Sequence, residues 1–179
     1  MGAGTSKKHH LIHVLIYSSA IAFIAILQLT GWMETSIKTL HMWQTLIYLA
    51  ILALCYRRMI AGYGAGIGIA LFWNVGNLFV TTFIREGCLT LVHLVRTGHD
   101  PHPELIVAPV AAAAHFVLIA ACLAAYVLRP KKRPLDLLIL VASAFGAVVA
   151  FYLIVRVWGP QYLNIFRTML RWIGIHFRS

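Results

Sequence analysis

The chain has 179 residues, of which 61% are hydrophobic and 11% charged, whereas soluble domains run at about 45–50% apolar and about 25% charged. Its formal charge of +10 would point to nucleic acid in a soluble protein. Here the cations punctuate long apolar runs instead of lining one face, so nucleic acid is excluded as a partner and the lipid bilayer with its anionic headgroups is expected. Those runs reach about 20 residues without charge and without two-residue alternation, which predicts membrane-spanning helices and excludes a β-barrel.

In chain order, residues 1–10 form a polar, basic start that ends before the apolar run 11–32. Lys7 and Lys8 ahead of an apolar stretch also open a signal peptide. This stretch is longer than the usual 7–15 residue core of one, so it is expected to stay as the first span. The second span covers 39–56 and stops at Arg57 and Arg58, and the third covers 59–83. A link this short predicts a tight antiparallel hairpin. The segment 84–97 holds a short apolar piece and is expected to lie in the interface or to dip in and return; the alternative is a sixth span that inverts everything after it. The fourth span is the alanine-rich 105–128, ended by the basic loop from Arg129 to Pro134, and the fifth is 135–158, broken by Gly159 and Pro160.

Residues 161–179 place Asn164, Arg167, Thr168, Arg171 and Arg178 on one helical face and Leu163, Phe166, Leu170, Ile173 and Phe177 on the other. That predicts a cationic amphipathic helix, either on the membrane surface or packed on its own bundle. Residues 11–158 thus form a single bundle, and the fold class expected is all-α: a polytopic membrane bundle of five spans with an interfacial C-terminal helix.

The third span organises the rest. Gly62, Gly66, Ala70 and Asn74 recur every fourth residue and share a face, so a neighbour can approach closely. Ala142, Gly146 and Ala150 repeat that spacing in the fifth span and are expected to pack in the same way. Asn74, Asn77 and Thr81 are polar groups within apolar sequence, and a buried amide without a partner costs roughly 2–7 kcal/mol. They should therefore meet another helix or a wet cavity. His115 lies about ten residues into the fourth span, close to the bilayer midplane. The economical expectation is a hydrogen bond from His115 to Asn74 or Asn77; a polar path built from the three is the functional alternative.

Lysine and arginine bias places the amino terminus in the cytoplasm, because Lys7, Lys8, Arg57, Arg58, Arg129, Lys131, Lys132 and Arg133 then share one side. A bacterial inner membrane is the expected setting. On the opposite side this topology gathers Glu34, His41, Glu86, His93, His99, Asp100, His102 and Glu104. Imidazoles with carboxylates are the donors of zinc or copper sites and the equipment of acid–base catalysis. Glu86, His93, His99, Asp100, His102 and Glu104 are therefore the catalytic candidates, although their spacing matches no recognised metal pattern, and a solvated loop is the bland reading. No cofactor is expected; haem on His115 or a divalent metal on the loop is the alternative. Cys55, Cys88 and Cys122 lack metal or redox spacing and are expected as free thiols.

The sequence therefore reads as a small multi-pass membrane protein, a subunit or accessory component with homo- or hetero-oligomeric membrane partners, its buried polar groups available to line a solute or ion path. The alternative is a membrane-embedded metal-dependent or redox enzyme.

Overall fold

The computed structural model describes residues 3–99 and 102–172. Asp100, Ile173, Phe177 and Arg178, all singled out above, lie outside the described residues. The described chain is helical and has no strand, as expected for an all-α bundle. It runs α1 (Ala3–Met33), α2 (Lys38–Tyr56), α3 (Ile60–Val75), α4 (Phe83–Thr97), α5 (Val107–Val127), α6 (Pro134–Trp158) and α7 (Leu163–Trp172). Five segments are long and apolar enough to cross a membrane: Lys7–Met33, Thr35–Tyr56, Ile60–Val80, Glu104–Val127 and Pro134–Trp158. The chain is a multi-pass membrane protein by that criterion.

α3 is the centre, packed on α2, α5 and α6, while α1 closes the bundle against α2 and α5. The reason is the shape of α3. On one face, a Cβ at Gly62 would fall 2.7 Å from the Cys55 nitrogen of α2, and one at Gly66 would fall 3.1 Å from the Cys122 sulfur of α5. The glycines between them serve another neighbour. A Cβ at Gly64 would meet the Leu140 carbonyl and the Ser143 hydroxyl, and one at Gly68 would fall 2.6 Å from the Ala144 Cα of α6. Backbone therefore lies on backbone, the contact that small residues permit when lipid supplies no hydrophobic drive between helices.

The expected packing stripe of α6 is corrected here. Ala142, Gly146 and Ala150 are exposed, and nothing lies within 4 Å of a Cβ built on Gly146. α6 faces α3 with Leu140, Ala144, Ala147 and Phe151 instead, because Gly64 and Gly68 are the small residues of that contact and α6 needs none of its own.

The hairpin from α2 to α3 turns at Arg57, Arg58 and Met59, with Arg58 in the left-handed region at φ 53°. Its carbonyl accepts a hydrogen bond from Arg129 Nη1 at 3.3 Å. Asp136 caps the start of α6: its carboxylate accepts the Arg133 backbone N–H at 3.0 Å, with Pro134 in the first turn. This basic end of the bundle is closed.

At the other end α3 loosens into a π turn over Gly76–Val80, and α4 follows, packed on α5 and on the turn that precedes it. At 15 residues it spans only about 22 Å, short of a ~30 Å hydrocarbon core. Ile84, Gly87 and Thr90 of α4 are buried, Gly87 lying against Leu105 and Pro109. Leu89, Val92 and Val95 are exposed, as suits a helix in the interface. α7 is packed on its own bundle. Phe166 stacks on Phe72 with centroids 4.5 Å apart and sits edge-on to Tyr152, and a Cβ at Gly76 would lie 3.0 Å from Met169. Arg167 and Arg171 stay exposed. Trp43 and Trp158 stack at 5.9 Å, and Trp32 is exposed at the same boundary, the interfacial level that tryptophan favours.

Candidate functional site

Two polar features lie inside the bundle, one sealed and one open. The sealed one is centred on His115 of α5, which is fully buried. Its Nε2 is 2.6 Å from the Tyr48 hydroxyl of α2, Phe23 of α1 lies on its ring at a 3.9 Å centroid distance, and Trp73 of α3 meets it edge-on at 4.9 Å. The bond expected to Asn74 or Asn77 thus goes to Tyr48. Tyr48 was not singled out in the sequence because an isolated tyrosine in an apolar run reads as core; the pattern that marks it is Gln44, Tyr48, Ile51 and Cys55 on one face of α2. Asn74 is also buried, and its side-chain oxygen and nitrogen have no partner among the described residues, nor has His115 Nδ1.

Asn77 and Thr81 have a local task. The Asn77 amide donates to the Trp73 carbonyl at 2.9 Å, and the Thr81 hydroxyl donates to Asn77 Oδ1 at 3.1 Å. A π turn leaves helix carbonyls without their usual donors, and these side chains supply replacements. The strut holds open the end of α3 where the second feature begins.

That second feature is a half-open cavity of about 660 Å³ at the end of the bundle away from the basic loops. Its floor is Phe23, Trp73 and Phe151; its polar rim includes Glu34, Glu104, Thr81 and Tyr162. Phe23 lies ten residues before Met33, the last residue of α1, about 15 Å of helix, and Glu34 follows at its end, so the cavity reaches about halfway through the bilayer. Its walls include the large side chains of Phe72, Trp73 and Phe151, whereas at Gly62–Gly68 of α3 backbone meets backbone. Tyr48, Asn74 and His115 are not among its described lining residues. Phe23 and Trp73 belong to both features, lining the cavity and touching His115, and a void of about 10 Å³ beside them is lined in part by Gln44 and Tyr48.

Inside the cavity the acceptors are well defined. His41 Nδ1 lies 3.0 Å from both the Leu27 carbonyl and the Thr30 hydroxyl. A carbonyl can only accept, so Nδ1 carries the proton and Nε2 of the neutral ring is an acceptor. Gln44 is buried and its Oε1 has no partner among the described residues. Burial, and secondarily the Glu34 carboxylate, raise the Tyr162 hydroxyl above its ordinary value, so it remains a neutral phenol.

The histidines and acids grouped by topology do not converge. Glu34, His41 and Glu104 line the cavity, whereas Glu86, His93 and His99 are exposed on or just after α4. His102 Nδ1 is 3.1 Å from Glu104 Oε1, and Glu86 accepts from Thr82. Among the described residues no group of three or more His, Cys, Asp or Glu is placed to hold a metal, and no second imidazole is in ring contact with His115. The three cysteines are free, with Cys55 and Cys122 buried and Cys88 exposed. A scan against protein-family models, a search of curated proteins and a search of solved structures each return no match for this chain.

Proposed function

We propose that this multi-pass membrane protein binds a small amphiphilic molecule in the cavity, with the apolar body of the ligand against the aromatic floor and its polar head at the Glu34–Glu104 rim. The observation that carries the reading is the cavity itself: about 660 Å³, within the ~300–1,000 Å³ usual for ligand sites, with mostly apolar walls and a few convergent polar groups. A solute that partitions into the bilayer reaches such a depth without leaving an apolar medium. With the basic loops in the cytoplasm, the cavity opens to the opposite leaflet. An ion path through His115 has less support, since Phe23 and Trp73 stand between that histidine and the open space.

The test fills the space. Ala108 lines the cavity and is only partly buried, so Ala108→Phe should fold and occupy the volume. Purified protein is screened by thermal shift against a panel of neutral, cationic and anionic amphiphiles. A ligand at a hundred times its Kd stabilises by about 2.7 kcal/mol. Stabilisation of the native chain that Ala108→Phe abolishes supports the proposal, and equal shifts in both proteins refute it.

A second reading, assembly with membrane partners, draws on the outward face of α6. Ala142, Gly146 and Ala150 there offer the flat surface on which transmembrane helices associate. Cysteine crosslinking at Ala142 in native membranes tests it: absence of any crosslinked product removes this reading.

A further inference from the structure

Resting on the cavity reading, a property of its lining goes further. The chain carries 15 Lys and Arg against 5 Asp and Glu, yet the described residues of the cavity include Glu34 and Glu104 and no Lys or Arg. The local charge therefore opposes that of the whole protein. Lysine and arginine side chains nearby are turned elsewhere: the Lys38 ammonium lies over the Trp32 ring at 5.7 Å, and Arg85, Arg156 and Arg167 are exposed; a bound cation shares Glu104 with His102, whose Nδ1 lies 3.1 Å from Oε1.

Two uncharged polar groups of the lining add acceptors, beside the Thr81 and Tyr162 hydroxyls, which can also donate. His41 Nε2 and Gln44 Oε1 are acceptors, and the buried Gln44 oxygen has no partner among the described residues. The walls are rings, including Phe23, Phe72, Trp73, Phe83, Phe151 and Phe166. Aromatic faces attract cations, most strongly where water is excluded. Carboxylates at the mouth of a low-dielectric recess concentrate that field and draw cations to the opening. Acids, acceptors and π faces all favour positive charge, and a positively charged group that favours an anion is not among the described lining.

From this we propose that the ligand of the cavity is an amphiphilic organic cation: one positive centre, a protonated amine or an onium group, on an apolar body. The positive centre sits at Glu34 and Glu104, and the apolar body lies along Phe23, Trp73 and Phe151. Selection is by charge sign at the rim and by size within.

Tetraphenylphosphonium and tetraphenylborate, alike in size and opposite in charge, provide the test, with triphenylphosphine oxide as the neutral probe. Binding to the full chain in a nonionic detergent is measured by calorimetry against empty micelles. The expected result is binding of the phosphonium at least about tenfold tighter than the borate, although the net charge of the protein favours the borate. Glu34→Gln combined with Glu104→Gln should weaken the phosphonium by about tenfold, which is about 1.4 kcal/mol, and leave the neutral oxide unchanged. Glu86→Gln removes one carboxylate from the exposed face of α4 and should change neither.

Equal or tighter binding of the borate, or a double variant that binds the phosphonium as before, overturns the charge assignment. The cavity reading survives that outcome if the oxide still binds and Ala108→Phe abolishes it. If no probe binds, both fall. A repeat in nanodiscs with and without phosphatidylethanolamine distinguishes the sources of the cation. Displacement of the phosphonium by that lipid identifies its ammonium headgroup as the natural occupant, and undiminished binding identifies a free solute; either keeps the selection for positive charge.

Discussion

Between Gly62 and Gly68 the neighbours of α3 lie on its backbone, with the Cys55 nitrogen on one side and Ala144 on the other. One turn further on, large rings replace the glycines, Phe72 edge-on to Phe151 of α6 and Trp73 edge-on to His115 of α5, α3 loosens at Gly76–Val80, and a cavity of about 660 Å³ takes the place of backbone contact. One helix thus clamps the bundle at its basic end and props it open at the other, and the difference lies in side-chain size. Where lipid is as apolar as the helices themselves, closeness comes from small residues and separation from large ones. Rigidity at one end positions a site at the other.

The contrast breaks most sharply at Gly68. A valine there has to displace the α6 backbone, at the upper end of the ~1–3 kcal/mol typical of overpacking. Equilibrium unfolding in mixed micelles should show that loss, and wild-type stability would remove the clamp from the account. A smaller effect is expected at the sealed histidine: Tyr48→Phe leaves His115 Nε2 buried without its donor, at about 1–3 kcal/mol in the same assay. Thr81→Val removes the hydroxyl from the Asn77 strut and should cost about 0.5–1.5 kcal/mol, with amide exchange rising selectively over 76–81 if the strut holds the π turn. Gly146→Val, on the outward stripe of α6, should stay within about 0.5 kcal/mol of wild type in monomeric protein. A large loss there would mean that α6 packs by the face that the structure leaves open.

Much of the architecture is legible in residue order. Length and apolarity give the five spans, the break at Arg57 and Arg58 gives the hairpin, and the shortness of 84–97 keeps α4 from being a sixth candidate span. The four-residue spacing of Gly62, Gly66 and Ala70 identifies one packing face of α3. The second face escapes that reading because Gly64 and Gly68 carry the same spacing in the alternate phase, and periodicity does not say which helix answers which phase. Equally, Ala142, Gly146 and Ala150 have the pattern without the partner. The site was less legible still. Glu34, His41 and Glu104 were gathered only as members of a larger set at one end. Their separation from Glu86, His93 and His99 depends on how α4 packs on α5, a tertiary matter with no counterpart in local sequence. Tyr48 opposite His115 lies 67 positions away, and no spacing rule connects them.

The turn at Arg57–Met59 also bears on how the protein is made. Its two arms, α2 and the glycine-rich α3, are the two least hydropathic of the five candidate spans, and their joint is too short to let one settle in the bilayer without the other. They are expected to leave the translocation machinery as a pair, each shielding the polar groups of its mate. In nascent chains truncated at Arg58, which α1 already anchors, Cys55 should react with a water-soluble maleimide, and in chains extended through Val80 it should be protected.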